Sequence, residues 1–385
     1  MWQNLQVNGE SVKRFLFSRY AVFVFALAGC GALPFFGSPD PEVTFAVVGD
    51  IMGHEAQIRS AMDPATGKYD YAPVFSYVKQ QISNADLAVG NLELTLPGKP
   101  ELYSGYPQFG SPDALPAALK EIGFDLLVTA NNHSMDKSEL GVVRTIDVLK
   151  SMGFLQTGTF TKAEYESRRI LEVERNGIRM IFLNYTYDTN GIAVTPGVVV
   201  NVIEKDRILK DFELARARKP DIIIVCYHFG KEYEFVPNAY QKEWVDLAFQ
   251  EGAQIVLGGH PHTLQPFERR VSADRFGKNA ERFVIWSLGN FVSNMQRRYV
   301  DGGIILNFKI VKAKEGMLIR GIEYTPVWVH TPIEKGRLKF YVLPVREHLA
   351  DSSMDKISLG RMKQFLEDTD KILGDTEKAV KDPEK

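Results

Sequence analysis

Short apolar runs recur along the chain, and each of them ends in polar residues. They lie at residues 43–48, 85–89, 124–129, 221–227 and 254–257. Each run is rich in Val, Ile and Leu and is apolar throughout, which is typical of strands that are buried on both faces. Amphipathic stretches separate the runs, at residues 74–84, 114–123, 139–152, 203–218 and 241–251. The alternation of strands with helices predicts a layered α/β domain.

The pattern changes in the last third of the chain. Segments with β character follow one another at residues 283–286, 303–311, 318–327 and 338–343. We expect them to form a second sheet that packs against the first. Residues 354–373 have helical spacing, with Ser352 and Ser353 as candidate caps. Residues 374–385 are charged and poor in apolar side chains, so we expect a frayed tail.

The start of the chain has the features of an export signal. Lys13, Arg14 and Arg19 precede an apolar run at residues 20–28, which is roughly half of the ~20 residues that span a bilayer. The Leu-Ala-Gly-Cys sequence that ends at Cys30 resembles a bacterial lipobox, in which the cysteine is acylated.

We therefore predict a lipoprotein signal peptide over residues 1–29 and a flexible tether over residues 30–42. Cys30 is the predicted lipid anchor, which would hold the protein on the bacterial cell envelope, outside the cytoplasm. An ordinary secretory signal and an uncleaved anchor are the alternatives.

Composition narrows the range of functions. The chain has 46 Lys and Arg against 48 Asp and Glu, a formal net charge of -2, and no basic stripe. This balance argues against nucleic-acid binding. Only Cys226 remains once Cys30 is acylated, so no internal disulfide can form and the core must hold the fold. We expect Cys226 to pack as a small apolar residue.

Five of the seven histidines lie in the polar clusters that follow the apolar runs. Because ligands of layered α/β domains lie at the carboxyl ends of the strands, we expect the clusters to converge on one edge. Carboxylates, an amide and imidazoles together suit Mn, Fe or Zn, and the set is large enough for one or two ions. A strand-like His-Pro-His segment would point its two imidazoles the same way. The clusters contain Asp50, His54, Asn91, Glu93, Asn132, His133, His228, His260 and His262.

The order of these motifs resembles that of the calcineurin-like metallophosphoesterases, and more closely that of the capsule-synthesis protein CapA (poly-γ-glutamate biosynthesis) family. The motifs are GDIM at 49–52, ADLAVGNLE at 85–93, NNHSMD at 131–136, HFGKEY at 228–233, GGHPHTLQ at 258–265 and SLGNF at 287–291. The resemblance implies a metallophosphatase-like α-β-β-α sandwich of two mixed sheets flanked by helices, over residues 43–345. A C-terminal helix and charged tail would occupy residues 346–385.

The resemblance also implies a role for each candidate. Asp50 and His262 would bind one metal ion, with His54 as a further candidate ligand or as the residue that closes the first helical turn. Glu93 would be the acidic bridging ligand, and His133 the general acid or the donor that stabilises the leaving oxygen. The second ion would lie among Asn132, His228 and His260. Substrate or supporting contacts, with caps and turn contacts as the alternative, are expected from Asn91, Asp136, Glu232, Tyr233, Gln265 and Asn290.

Two motifs depart from the phosphoesterase pattern. Met52 stands where those enzymes have the histidine of Asp-x-His, and Asn91 stands where they have the aspartate of Gly-Asp, with the carboxylate shifted to Glu93. Both changes are expected to weaken the first metal site, so a single tightly bound ion is an alternative to two.

The resulting expectation is a lipid-anchored, metal-dependent hydrolase or accessory protein in the synthesis, export or attachment of an anionic envelope polymer, a capsule or poly-γ-glutamate. Its partners would be membrane lipid, the polymer or its precursor, and envelope synthesis or export proteins. The alternatives are a non-catalytic binding or assembly component of an export complex, and a surface phosphodiesterase or nucleotidase. The aromatic segment at residues 103–109 either lines a substrate groove or packs on itself.

Overall fold

A computed structural model describes residues 40–374 of the protein. The predicted signal peptide, the anchor Cys30, most of the tether and the tail from residue 375 lie outside the described residues. The first strand begins at Glu42. None of the helices described between residues 40 and 374 combines the length and the apolar composition that crossing a membrane requires.

The elements follow the predicted alternation, with an additional β-rich region between residues 155 and 200. The strands are β1 (Glu42–Ile51), β2 (Leu87–Leu92), β3 (Leu126–Val128), β4 (Leu155–Thr157), β5 (Thr159–Thr161), β6 (Leu171–Arg175), β7 (Ile178–Thr186), β8 (Val198–Val200), β9 (Ile222–His228), β10 (Ile255–Gly259), β11 (Leu264–Ala273), β12 (Asn279–Leu288), β13 (Asn290–Val292), β14 (Gly302–Ala313), β15 (Gly316–His330), β16 (Ile333–Glu334), β17 (Arg337–Leu338) and β18 (Tyr341–Pro344). The helices are α1 (Glu55–Ala61), α2 (Ala72–Phe75), α3 (Lys79–Ser83), α4 (Ala114–Glu121), α5 (Ser138–Ser151), α6 (Tyr165–Arg168), α7 (Lys205–Ala217), α8 (Ala239–Gln250), α9 (Val345–His348) and α10 (Lys356–Leu373).

Two large mixed sheets organise the strands. In the first sheet the order is β18-β15-β14-β1-β2-β3-β4, with β13 also paired to β1. In the second sheet the order is β11-β12-β10-β9-β7-β6. Neighbours from β1 to β4 run parallel, whereas β14 pairs antiparallel with β1. The predicted sandwich of two mixed sheets flanked by helices is confirmed.

Alternation along the strands separates the core into layers. Phe45 and Val47 of β1 pack in one apolar cluster with Ile224 of β9, between the two sheets. Val48 of β1 faces the opposite way, in a cluster with residues of α4, and Val225 of β9 packs with residues of α7. Successive side chains of a strand point to opposite faces, so strands that are apolar throughout contribute to two layers at once.

The predicted division of the strands between the sheets was wrong. β14 and β15 extend the first sheet beside β1, and β9 and β10 belong to the second sheet. Hydrophobic patterning marks a strand but does not encode its partner, which is decided by long-range pairing such as that of Val43 with Ile310. The predicted caps of the last helix were also wrong, because Asp355 accepts the backbone N–H groups of Ile357 and Ser358.

Gly49 allows the close approach that positions the end of β1. The Asp50 N–H donates to the Gly289 carbonyl across 3.0 Å, and a Cβ at Gly49 would lie 2.0 Å from that same oxygen. We expect Gly49→Ala to lower the free energy of unfolding by about 3 kcal/mol, since backbone must move to relieve the overlap. Chemical denaturation measures the change.

Gly360→Ala is the matched control for this substitution. Gly360 lies inside α10, and a Cβ added there would meet no other group within 4 Å. The alanine should therefore stabilise the protein by up to about 1 kcal/mol. Equal effects of the two substitutions would contradict the close-packing explanation.

Candidate functional site

Polar side chains from both sheets meet at the carboxyl ends of the strands. Asp50 lies at the end of β1 and is paired in register with Asn91 of β2, and Glu93 directly follows β2. His228 ends β9, and its register partner Gly259 ends β10. The expectation that the clusters meet at one edge of a single sheet was wrong, because strands of two facing sheets contribute to the site. The buried candidates are Asp50, Asn91, Glu93, Asn132, His133, Asp136, His228, His260, His262, Gln265 and Asn290.

Asp50 is an anion held by several donors. Asn91 Nδ2 donates to Asp50 Oδ1 across 2.8 Å, and the His260 N–H donates to Oδ2 across 3.3 Å. His262 Nδ1 lies 3.2 Å from Oδ2. Burial alone would raise the pKa of Asp50, but the hydrogen bond from His262 and the charges of His228 and His262 hold it well below its usual range. The carboxylate is therefore ionised and suited to bind a cation.

Glu93 is fully buried, and neither of its carboxylate oxygens has a hydrogen-bond partner among the described residues. Its nearest basic atoms are His228 Nε2 at 3.5 Å and His133 Nε2 at 3.9 Å. A buried carboxylate without partners is costly unless a cation compensates it. Asp50, Glu93 and His262 each offer a ligand atom, and these atoms all lie within 4.8 Å of one another. This group fits a divalent metal ion.

A second group of donors adjoins the first. His228 Nε2 lies 2.7 Å from Asn132 Oδ1, and His228 Nδ1 lies 3.1 Å from Asn91 Nδ2. The His260 ring lies 4.9 Å from that of His228, and His260 Nδ1 is buried without a partner in the part of the chain that the structure describes. Asn132, His228 and His260 are thus close together, as the resemblance implied for a second ion.

The His260-Pro261-His262 segment is not strand-like, contrary to the expectation. Its two histidines have φ values of 95° and 59°, in the left-handed region that is unfavourable for residues with a side chain. The turn lets the His260 backbone N–H reach Asp50 while the His262 ring reaches the same carboxylate. The two imidazole rings still lie only 6.0 Å apart. A left-handed turn, and not the expected strand conformation, therefore brings them together.

His133 is held in a defined orientation by a carboxylate. Its Nδ1 lies 2.6 Å from Asp136 Oδ2, which also accepts the Phe109 backbone N–H. The Phe109 ring packs edge-on against the imidazole, with ring centres 4.5 Å apart. Asp136 therefore favours a proton on Nδ1 and leaves Nε2, which points towards Glu93, for proton transfer. Of the aromatic segment at residues 103–109, Phe109 is buried against the site, whereas Tyr106 is 79% exposed.

His54 closes the first turn of α1, one of the two roles open to it. Its backbone N–H donates to Gln57 Oε1, and its Nδ1 accepts the Asn294 backbone N–H. Burial lowers the pKa of His54 to about 4. The group formed by Asp50, Glu93 and His262 does not include it.

The remaining candidates support the site from its edges. Asn290 Oδ1 lies 3.0 Å from His262 Nδ1 and so helps to orient that ring. Gln265 Nε2 donates to the Glu234 carbonyl and so fixes the segment that follows β9. Glu232 is exposed, and its negative charge contributes to raising the pKa of His262.

Residues near the site were missed because the strand β7 was missed. Tyr187, just after β7, packs its ring 4.4 Å from that of His260. Asn190 Oδ1 accepts from Asn132 Nδ2 across 3.2 Å. The signal that could have found them was the apolar run at residues 180–183 followed by polar residues. Asn131, although part of a quoted motif, was not selected, and its Nδ2 donates to Asn91 Oδ1.

The Asp50–His262 pair should make the stability of the metal-free protein depend on pH. Burial opposes the charge on His262, but the carboxylates of Glu93 and Asp50 raise its pKa to about 9, from 6.5 in the unfolded chain. A raised pKa stabilises the fold below pH 6.5, and this contribution is lost as the pH rises through 9. The free energy of unfolding should therefore fall by about 3 kcal/mol over this window.

Chemical denaturation in chelator, at pH 6.5 and 9, measures the effect. His262→Gln is the control, because it removes the titrating group and should flatten the dependence. The lowered pKa values of His54 and His260 leave both neutral across the window, so they do not produce the same trend. Equal slopes for the two proteins would contradict the prediction.

Two mixed sheets between helices, with carboxylates and imidazoles gathered at their strand ends, define a metallophosphatase-like fold. The NAD nucleotidase NadN of Haemophilus influenzae has the same fold, with a TM-score of 0.51 and 12% sequence identity. The superposition covers 86% of this chain and 63% of that chain. At this identity the similarity shows the fold alone.

The family follows from the sequence comparison. The model of the family described as bacterial capsule synthesis protein PGA_cap matches residues 44–295, and the chain belongs to this family. The PGA biosynthesis protein CapA of Bacillus subtilis is 26% identical over 369 residues, which cover 91% of this chain and 90% of the relative. The capsule biosynthesis protein CapA of Bacillus anthracis is 28% identical over 262 residues, 65% of this chain and 60% of the relative. The predicted family is confirmed.

Proposed function

We propose that the protein is a metal-dependent hydrolase that acts on an anionic envelope polymer or its precursor during synthesis, export or attachment of the polymer. The observation that carries this proposal is Glu93, a buried carboxylate without hydrogen-bond partners among the described residues, beside Asp50 and His262. An arrangement that only stabilised the fold would have paired that carboxylate with a donor. A cation is the partner that this group of side chains lacks.

Asp50, Glu93 and His262 would hold the ion, and Asn132, His228 and His260 offer ligands for a second one. A divalent ion supplies polarisation of a substrate oxygen and activation of water for attack. His133 would donate a proton from Nε2 to the leaving group. Asp136, at 2.6 Å from Nδ1, would stabilise the positive charge that the ring carries before this transfer.

The substrate class is supported by the family and by the export signal that the sequence predicts. The relatives are named for PGA biosynthesis and capsule biosynthesis. The sequence that ends at Cys30 would place an acylated protein on the outer side of a membrane, where envelope polymers are assembled. We therefore propose membrane lipid, the polymer and envelope synthesis or export proteins as partners.

The experiment uses the purified full chain supplied with Mn, Fe or Zn. We expect at least one equivalent of metal by elemental analysis, and hydrolysis of a γ-linked glutamate oligomer that stops in chelator. Absence of bound metal would exclude the hydrolase. Metal without cleavage of the oligomer or of bis(4-nitrophenyl) phosphate would favour the assembly component, and cleavage of the phosphodiester alone would favour a surface phosphodiesterase.

Radiolabelled palmitate incorporation, compared with that of Cys30→Ser, tests the anchor.

A further inference from the structure

Two loops at the mouth of the site are fixed to the His-Pro-His turn and its surroundings. The first loop, residues 231–236, donates the Tyr233 N–H to the Pro261 carbonyl across 2.8 Å. Its Glu234 carbonyl accepts from Thr263 Oγ1 at 2.7 Å and from Gln265 Nε2 at 3.0 Å. Tyr233 has a φ of 68°, a left-handed conformation that these hydrogen bonds help to maintain. The loop therefore presents the Tyr233 ring beside His262, with ring centres 6.3 Å apart.

The second loop, residues 295–300, is tied to the same histidine from the other direction. Asn290, which contacts His262, donates from Nδ2 to the Val300 carbonyl across 2.9 Å. The Tyr299 ring, in a residue with a φ of 77°, packs edge-on against Phe235 of the first loop at 4.7 Å. The two loops thus support each other beside the candidate metal centre.

The second loop carries two consecutive arginines with different surroundings. Arg298 donates two hydrogen bonds of 2.7 Å to Asp368 of α10, so its charge is used in holding the helix. Arg297 is exposed, and its guanidinium lies 4.7 Å from the centre of the Tyr233 ring. No carboxylate of residues 40–374 forms an ion pair with Arg297. Stacking on an aromatic face orients the guanidinium. Arg297 also hydrogen-bonds to the Tyr233 side chain, so its remaining N–H groups are the ones that can bind a ligand.

The charges near Arg297 fit an anionic ligand. The metal ion proposed above would compensate the charges of Asp50 and Glu93, whereas Glu232 is an exposed carboxylate next to Tyr233. Partial burial and then the negative charge of Glu232 raise the pKa of Tyr233, whereas the charge of Arg297 and its hydrogen bond to the phenol oppose that rise. A substrate with negative groups would be repelled by the exposed Glu232 unless a neighbouring cation bound those groups, and Arg297 is placed to do so.

We propose that Arg297, stacked on Tyr233, binds an oxyanion of the substrate beside the bond that is cleaved and thereby selects acidic substrates. The ligand chemistry is a pair of anionic oxygens on one group, which a guanidinium binds with two parallel N–H donors. A carboxylate of an acidic polymer and a phosphate are the two sources of such oxygens. This inference rests on the proposed function, because it assigns a substrate group to the same site.

Binding measurements test the proposal independently of turnover. The Mn-supplied full chain is titrated into a fluorescein-labelled γ-linked glutamate decamer, with fluorescence anisotropy as the readout, and inorganic phosphate is titrated by calorimetry. We expect Arg297→Ala to weaken decamer binding about tenfold, because a charged hydrogen-bonding partner is lost. Arg297→Lys keeps the charge but not the two-donor geometry and should recover part of the affinity.

Arg298→Gln is the control, since it removes the same charge one residue away and breaks a partly exposed ion pair with Asp368 and a contact with the Tyr299 ring. Its decamer affinity should stay within about twofold of the native value. Loss of phosphate affinity alone in Arg297→Ala would support the oxyanion subsite and assign it to phosphate. Unchanged affinity for both probes in a folded Arg297→Ala protein would overturn the proposal, as would absence of binding to the native chain.

The proposed hydrolase activity and the proposed oxyanion subsite can be contradicted separately. Binding that depends on Arg297, in a protein that hydrolyses neither substrate, would contradict the proposed hydrolase and leave the oxyanion subsite standing. Hydrolysis with binding that does not depend on Arg297 would contradict the subsite alone.

Discussion

Replacing His133 with alanine should lower kcat for the hydrolysed substrate by about 10²–10⁴-fold, while the protein keeps its metal ion. The imidazole is buried, its Nδ1 is held by Asp136, and its Nε2 lies 3.9 Å from Glu93. It is therefore placed at the edge of the candidate metal group, with one nitrogen left for proton transfer. Steady-state kinetics and elemental analysis of the same preparation measure the two quantities.

Asp136→Asn separates orientation from proton transfer. The amide retains the shape and an acceptor for the Phe109 N–H, but it removes the negative charge beside Nδ1. We expect a smaller loss of kcat than for His133→Ala, together with a displaced pH profile. Loss of metal from His133→Ala would contradict the assignment, because it would make His133 a ligand. A kcat that stays close to the native value would exclude it as a proton donor.

Glu93→Gln should have opposite effects on stability with and without metal. In chelator, the substitution removes a buried carboxylate whose oxygens have no hydrogen-bond partners among residues 40–374. We expect a net stabilisation of about 1 kcal/mol, because the cost of burying the charge exceeds its attraction for His262. With metal in excess, the native protein gains about 4 kcal/mol at a free concentration roughly one thousand times Kd, a gain that the weakened ligand set loses. The order of the two melting temperatures should therefore reverse when metal is added.

Differential scanning calorimetry in chelator and in Mn measures this reversal, and elemental analysis counts the ions. Glu243→Gln, at an exposed position of α8, is the control, because it makes the same change of side chain away from the site. Parallel shifts of the native protein and Glu93→Gln on metal addition would show that Glu93 is not a ligand. The number of ions per chain also decides between one metal site and two. The question arises because Asn91, a neutral amide, lies between Asp50 and His228 in place of a carboxylate.

The sequence predicted most of what depends on local pattern. Apolar runs such as 43–48 and 221–227 became β1 and β9, and the polar residues after them lie at the strand ends. Burial on both faces of a parallel strand leaves a continuous apolar signal, so the existence of these strands could be predicted directly. The motifs and their order also identified the family, which the match over residues 44–295 confirms.

Strand β7 escaped prediction, and with it Tyr187 and Asn190. Its apolar run continues into Asn184, Tyr185 and Thr186, all of which are buried within the strand. Asn184 Nδ2 donates to the Cys226 carbonyl of β9, a partner 42 residues away. A polar residue inside a strand is satisfied only by the packed structure, so the local pattern gave no reason to continue the strand through it.

The sequence by itself determined the fold class, the main alternation of strands with helices, and which polar side chains follow the strands that it marked. These features depend on hydrophobic period and on motifs only a few residues long. The tertiary structure alone decided that β14 joins β1, that His260 and His262 adopt left-handed conformations, and that Arg297 stacks on Tyr233. Each of these features depends on contacts between distant parts of the chain. Such contacts contribute to the free energy only when both sheets are packed together.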